Sequence, residues 1–177
     1  MNQQRHCILH VLLLLGLFST RLPFGFAQMS RPTASDTVKR TMAAVLVHCH
    51  FKADGVEGMT FVPPSNEEIE TIKSLGSAVV EPLSTYLDSR VDGGFSQLFA
   101  VRFLSALRNP AALGALRRAF GQDQWEVTRM TALAGMFETS KTAAEPYVEA
   151  ALEDKSPVVR HMAESLWSSY EPHKSDK

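Results

Sequence analysis

Three adjacent residues, His48, Cys49 and His50, form the cluster whose side-chain types suit a metal ion or thiol chemistry. On a helix, consecutive side chains point about 100° apart, so the two histidines diverge by about 200° and cannot close on one ion. Cys49 also continues an apolar stripe, where a small buried residue is common. A metal or thiol site is one interpretation, and a core cysteine between two solvated histidines is the one we prefer.

Arginines recur at like positions in three predicted helices, at Arg102, Arg129 and Arg160. A row of guanidinium groups would bind an acidic partner. Alternatively, each arginine pairs with an acidic turn residue of the neighbouring repeat, such as Asp154, or Arg160 pairs with Glu164 one helical turn later. We favour the structural role and keep all three as candidate partner-binding residues.

The two tryptophans, Trp125 and Trp167, lie near the start of one predicted helix and the end of another. Exposed tryptophans often anchor a binding partner. Aromatic residues at helical spacing are more often part of the core. Both interpretations stay open, and the two residues complete the set of candidate partner contacts.

Motifs that support catalysis are missing from the sequence. It has no glycine-rich phosphate loop, no nucleophile elbow and no His-Glu-x-x-His pattern, and no pair of acids or of His and Ser suggests a shared site. We therefore expect a protein without catalysis, cofactor or bound metal.

The N-terminus has the pattern of a secretory signal peptide over residues 1–27. Arg5 precedes an apolar run over residues 8–18, and Gly25 and Ala27 offer small residues at a cleavage site before Gln28. The run is shorter than the roughly 20 apolar residues that a spanning helix needs. The sequence thus predicts export to the periplasm or the extracellular space and no stable membrane span after cleavage, although retention as an anchor stays open.

Charge and cysteine content limit the partners of the processed chain. Residues 1–27 contain two arginines and no acid, so cleavage leaves 16 basic and 19 acidic residues and a formal charge of −3. This balance gives no electrostatic footprint for nucleic acid. Cys49 remains as the single cysteine, so no intrachain disulfide is possible.

Apolar residues recur at helical spacing from Val38 onward, and Ser35 or Asp36 is expected to cap this first helix. A tether over residues 28–35 precedes it, and a proline- and glycine-containing loop over 55–64 follows it. Ser65 and Glu68 then form a capping box for a short helix that ends at Gly76. Residues 36–76 are thus predicted to be an irregular N-terminal hairpin.

A helical hairpin is repeated three times over residues 77–170. Apolar pairs at i and i+4 recur at intervals of 33 and 32 residues. Their members are Leu83 and Leu87, Leu116 and Phe120, and Val148 and Leu152. The second, inner helix of the first hairpin, residues 95–108, is apolar nearly all round and should be the centre of the domain.

Helix-start signals support the same division. They are Asn109 with Pro110, Asp123 with Glu126, Thr142 with Glu145, and Ser156 with Pro157. The tail over residues 171–177 is expected to fray. Together these patterns predict an all-α chain.

Residues 152–166, Leu-Glu-Asp-Lys-Ser-Pro-Val-Val-Arg-His-Met-Ala-Glu-Ser-Leu, resemble the second half of a HEAT-like (armadillo-type) repeat. Weaker copies occur at Asp123 to Arg129 with Ala132, and at Val101 and Arg102. Pro82 and Pro146 match the bent first helix of that family. The resemblance covers about residues 77–170 and implies a right-handed α-solenoid that acts as a binding scaffold.

The function that we expect from the sequence is therefore an exported, non-catalytic scaffold that binds a protein or peptide through its inner helices. The partner's identity and any homodimer stay open. The alternative is a small enzyme or metal/thiol protein whose site uses the non-repeat segment 48–64.

Overall fold

The computed structural model describes residues 31–48, 62–88, 94–121 and 125–170. The chain divides into two compact units, Met1–Arg31 and Pro32–Lys177, and every helix described below belongs to the second. The predicted signal peptide 1–27, Cys49 and His50, most of the predicted loop 55–64, and the tail 171–177 lie outside the described residues.

The described part of the chain contains eight α-helices and no β-strand, which confirms the all-α prediction. The helices are α1 (Ala34–His48), α2 (Asn66–Ser74), α3 (Val80–Leu87), α4 (Phe95–Ala106), α5 (Leu113–Gly121), α6 (Glu126–Thr139), α7 (Lys141–Ala151) and α8 (Pro157–Tyr170). Short 3₁₀ helices, Gly76–Val79 and Pro110–Ala112, precede α3 and α5.

Two predicted helix starts are confirmed by their capping hydrogen bonds. The Ser65 hydroxyl accepts from the Glu68 N–H, and the Glu68 carboxylate accepts from the Ser65 N–H at 2.7 Å. Asn109 Oδ1 accepts from the Ala111 N–H at 2.9 Å, with Pro110 as the next residue. Gly76 has a φ of +59°, the left-handed conformation that glycine provides after a helix.

Two other starts differ from the prediction. Helix α1 begins at Ala34, before the expected Ser35 or Asp36, because Thr33 is the cap. Its hydroxyl accepts from the Asp36 N–H at 3.1 Å, and the Asp36 carboxylate accepts from Thr33 in return. Helix α7 is capped by Ser140 and not by Thr142. In each case the cap is thus the first of the eligible residues along the chain.

The start of helix α6 has no side-chain cap. Trp125 precedes α6 without a capping hydrogen bond, and Asp123 lies outside the described residues.

Consecutive helices pack in pairs, α3 with α4, α5 with α6, and α7 with α8. Helix α6 also packs against α4 and α8, so the second helices of the three pairs are neighbours. We call α4, α6 and α8 the inner helices. Helices α1 and α2 both pack against α4 as well.

Helix α4 lies at the centre of the core, as its composition predicted. Eight of its twelve residues are buried, among them Phe99, Phe103 and Leu104. The repeated apolar pairs face the same core: Leu83, Leu87, Leu116 and Val148 are buried, and Phe120 and Leu152 are partly buried against them. Burial on several sides explains why α4 lacks a polar face.

Candidate functional site

A groove runs along the face of the molecule that α2 and the inner helices form. It consists of two adjoining hollows of about 520 and 440 Å³, which share Ile69, Thr131 and Ala134. The first, the charged hollow, is also lined by Lys73, Ser105, Ala106, Leu107, Arg108, Gly135 and Glu138. The second, the apolar hollow, is also lined by Pro64, Arg102, Val127, Met130 and Met162.

Ionic side chains border the charged hollow. Arg108, just beyond the end of α4, donates to the Glu138 carboxylate of α6 from Nε at 3.0 Å, and its Nη2 lies 2.8 Å from the same oxygen. Lys73 of α2 is 2.6 Å from Glu70, one turn earlier on the same helix. These side chains are mostly exposed, so the ion pairs contribute little to stability and their charges remain accessible.

Arg108 has an unusual backbone conformation. Its φ of +48° lies in the left-handed region, which residues other than glycine seldom adopt. The conformation ends α4 and turns the chain toward Asn109, the cap of the next 3₁₀ helix. An arginine side chain therefore stands at the groove where glycine or asparagine is usual.

Two small residues form the wall between α4 and α6 in the charged hollow. A Cβ at Gly135 would lie 2.6 Å from Ser105 Cβ and 3.0 Å from Ser105 Cα, so glycine is required for this close approach. The Ser105 hydroxyl donates to the Thr131 carbonyl at 3.1 Å. The helices consequently approach closely without a large side chain that would fill the hollow.

The apolar hollow is built from flexible side chains. Met130 of α6 and Met162 of α8 line it, and both are also partly buried against the core. Methionine has three rotatable bonds and a polarizable sulfur, so such a surface adapts to differently shaped apolar groups. Arg102 borders this hollow, and burial lowers the pKa of its guanidinium. The group remains charged at neutral pH because an arginine side chain is not deprotonated in proteins.

Arg129, a second predicted contact, lies away from the groove in a buried ion pair. Its Nε and Nη2 donate to the two carboxylate oxygens of Asp154 at 3.0 and 2.7 Å. The two side chains are only 7% and 12% exposed. This is the alternative in which an arginine pairs with the acidic turn residue of the next repeat, and the geometry favours it over partner binding.

Asp154 organises the turn that precedes α8. Besides Arg129, its carboxylate accepts from the Ser156 N–H at 2.8 Å. Burial alone would raise the pKa of Asp154, but the hydrogen bonds from Arg129 and Ser156 and the charges of Arg129 and Lys155 lower it. The Ser156 hydroxyl in turn donates to Glu126 at the start of α6 at 2.5 Å.

Arg160 belongs to the same turn. Its Nη1 donates to the carbonyl oxygens of Asp154 and Lys155 at 2.6 and 3.2 Å. The three predicted arginines are therefore separated, since Arg129 and Arg160 meet around Asp154 while Arg102 alone lines the groove. They do not form a continuous ladder.

The tryptophans do not line either hollow. Trp125 is 45% exposed and makes an edge-to-face contact with Phe95, with the ring centres 5.2 Å apart. Trp167 is partly buried against the core and stacks on Tyr170 at 6.2 Å. The first contact joins the starts of α4 and α6, and the second lies within the last turn of α8, so both favour a packing role.

The metal and thiol alternative falls largely on residues that are not described. Cys49 and His50 lie outside the described residues, and so does the His48 side chain. Among the described residues, no group of three His, Cys, Asp or Glu side chains is placed to hold a metal ion. The alternative therefore stays an untested prediction.

Sequence reasoning missed most of the groove. Lys73, Arg108 and Glu138 look like ordinary exposed charges in the sequence, and they meet only because α2, α4 and α6 pack together. The one available signal was the placement of Arg108 and Glu138 at the ends of the largely apolar helices α4 and α6.

No helix in residues 31–48, 62–88, 94–121 or 125–170 is long and apolar enough to cross a lipid bilayer. Comparison of the chain with protein-family models, with curated proteins and with solved structures finds no match. The resemblance to HEAT-like repeats therefore stays a prediction from the residues that carry it.

Proposed function

We propose that this protein is an exported, non-catalytic scaffold that binds a peptide or protein segment in the groove along its inner helices. The observation that carries the proposal is the groove itself, where two adjoining hollows are lined by α2, α4, α6 and α8. A ligand pocket typically combines apolar walls with a few charged groups at its edge, and the groove has both.

The proposed architecture is a right-handed α-solenoid of three HEAT-like hairpins. The packing of α6 between α4 and α8 supports it, because neighbouring second helices are what stacked hairpins produce. Such stacking leaves one side of the inner helices uncovered, and this is the surface to which we assign binding.

The proposed location is the periplasm or the extracellular space. This part rests on the pattern of residues 1–27 alone. Mass spectrometry of the protein recovered from the exported fraction tests it. We expect an N-terminus at Gln28, and an intact Met1 in the cytosolic fraction would contradict export.

Position-specific photo-crosslinking tests the binding surface. A photoreactive phenylalanine analogue would replace Met130 in the apolar hollow or, as a control, Arg118, which is exposed on α5 and lines neither hollow. We expect a discrete covalent adduct in the exported fraction from position 130 and not from position 118.

A second variant connects the adduct to the groove. Ala134 is partly exposed and borders both hollows, so Ala134→Glu places a charge where they meet. We expect it to abolish the adduct while the circular dichroism spectrum is unchanged. Equal adducts from both positions, or an adduct that survives Ala134→Glu, would contradict the proposal.

A further inference from the structure

The charges around the groove have the opposite sign to the chain as a whole. Among the described residues, three cations, Lys73, Arg102 and Arg108, line its two hollows, against one lining carboxylate, Glu138, and Glu70, which pairs with Lys73. Cleavage after residue 27 would leave the chain with three more acidic than basic residues. The cations are therefore concentrated at the groove against the overall balance, and that local field favours an anionic ligand.

The cations border an apolar depression and not a flat basic surface. Pro64, Ile69, Val127, Met130 and Met162 surround the apolar hollow, with Arg102 on the same hollow and Lys73 and Arg108 on the adjoining one. A ligand that fills both must combine a large apolar group with nearby negative charge. Side chains of one peptide segment meet both requirements.

The geometry points to a specific partner class: we propose that the groove binds a short acidic peptide segment anchored by one large apolar side chain. The anchor, a residue such as Leu, Met or Phe, occupies the apolar hollow. Carboxylates on neighbouring residues pair with Lys73 and Arg108. This inference rests on the proposed function and adds the chemistry of the partner.

Arg108 can donate hydrogen bonds to a second carboxylate while it stays paired with Glu138. A guanidinium has five N–H donors, and the contacts to Glu138 use only Nε and Nη2. Charge-assisted bonds of this kind are about twice as strong as neutral ones. An acidic ligand therefore adds to the existing pair and need not break it.

A nucleic acid fits the groove less well than a peptide. Phosphate backbones are bound by extended basic surfaces, and single strands also stack their bases on aromatic rings. Among the residues that the structure describes, those that line the two hollows include a carboxylate and no aromatic ring.

The test is a selection from a random 12-residue peptide library displayed on phage, followed by fluorescence anisotropy with the enriched peptide. We expect an enriched sequence with Asp or Glu beside Leu, Met or Phe. Replacing its acids by Gln or Asn should weaken binding by about tenfold or more. Binding should also weaken as salt rises, because exposed charges are screened.

Charge variants of the protein test whether Lys73 and Arg108 bind the acidic side chains of the peptide. Lys73→Gln with Arg108→Gln should weaken binding of the enriched peptide by about tenfold. Lys39→Gln with Arg118→Gln removes two exposed cations that line neither hollow, and it should change the affinity less than about twofold. An equal loss of affinity in both double variants would show that only the net charge of the protein matters, and this would overturn the inference.

Failure of this inference is distinguishable from failure of the proposed function. A neutral or basic enriched peptide whose binding is abolished by Ala134→Glu would overturn the acidic ligand and leave the groove as a binding site. The absence of any enriched peptide, or binding that Ala134→Glu does not affect, would overturn both.

Discussion

At the junction between α4 and α6, Ser105 faces Gly135 at a distance that excludes any Cβ on the glycine. We call this the first junction. At the second junction, between α6 and the turn before α8, a buried ion pair joins Arg129 to Asp154. The same relation between neighbouring inner helices is thus held by steric fit in one place and by charge in the other.

The difference follows from the apolar surface that each junction can bury. Helix α4 contributes six buried apolar residues, whereas α8 buries only Val159 and Ala163. With fewer apolar contacts at the second junction, the polar cluster around Asp154 specifies how the last hairpin docks. A buried ion pair adds little net stability over an apolar pair, but the loss of one partner is costly. The second junction should therefore be the more vulnerable one.

The largest loss of stability is expected from Asp154→Ala. This change leaves the Arg129 guanidinium buried without its carboxylate, which costs about 3 kcal/mol in the free energy of unfolding. Urea denaturation measures the loss. The matched control is Glu138→Ala, which removes the exposed partner of Arg108 and should cost less than about 1 kcal/mol. Comparable losses in the two variants would refute the distinction between buried and exposed pairs.

At the first junction, Gly135→Ala should cost about 2 kcal/mol in the free energy of unfolding. The new methyl group would overlap Ser105, including its backbone, so the two helices must separate. Gly114→Ala in α5 is the control, because a Cβ there meets nothing within 4 Å. It should stabilise the protein by about 0.5 to 1 kcal/mol through helix propensity alone. A stabilising Gly135→Ala would show that the close approach is not maintained.

Acid should weaken the second junction and leave the first unchanged. The folded-state pKa of Asp154 is lowered from its ordinary value of 3.8, so its contribution to stability is present above that value and is lost as pH falls through the folded pKa. Urea midpoints of the unsubstituted protein and Asp154→Asn should differ by a constant amount at neutral pH and converge in acid. The difference caused by Gly135→Ala should not depend on pH. If the urea midpoints of the unsubstituted protein and Asp154→Asn still differed in acid, the pH dependence would not come from the Asp154 carboxylate.

The smallest expected changes in the free energy of unfolding come from replacing one serine at each junction. Ser156→Ala removes the hydrogen bond to Glu126 and should cost about 1 kcal/mol. Ser105→Ala removes a bond to the Thr131 carbonyl but gains helix propensity, so its net cost should be below about 0.5 kcal/mol. Thermal or urea unfolding measures both, and the reverse order would mean that the first junction depends on its hydrogen bond and not on its small size.

Local signals predicted the helices well and the choice of cap less well. The Ser65 and Glu68 capping box and the Asn109 cap involve residues two or three positions apart, so they can be recognised along the chain. The errors at Thr33 and Ser140 arose where two eligible caps stand within three residues. The side chains of both compete for the same backbone N–H groups, and the residue types do not indicate which one succeeds.

The order of residues along the chain was sufficient to establish the all-α class and the buried centre at α4, because helical spacing and capping depend on neighbours within a few positions. It suggested the pairing of Arg129 with Asp154 without its geometry, and it was not sufficient to establish that Ser105 meets Gly135 or that Lys73 and Arg108 border one groove. Those contacts join residues that are 25 to 35 positions apart. They follow from how each helix is rotated and spaced against the next, which packing of the whole domain determines.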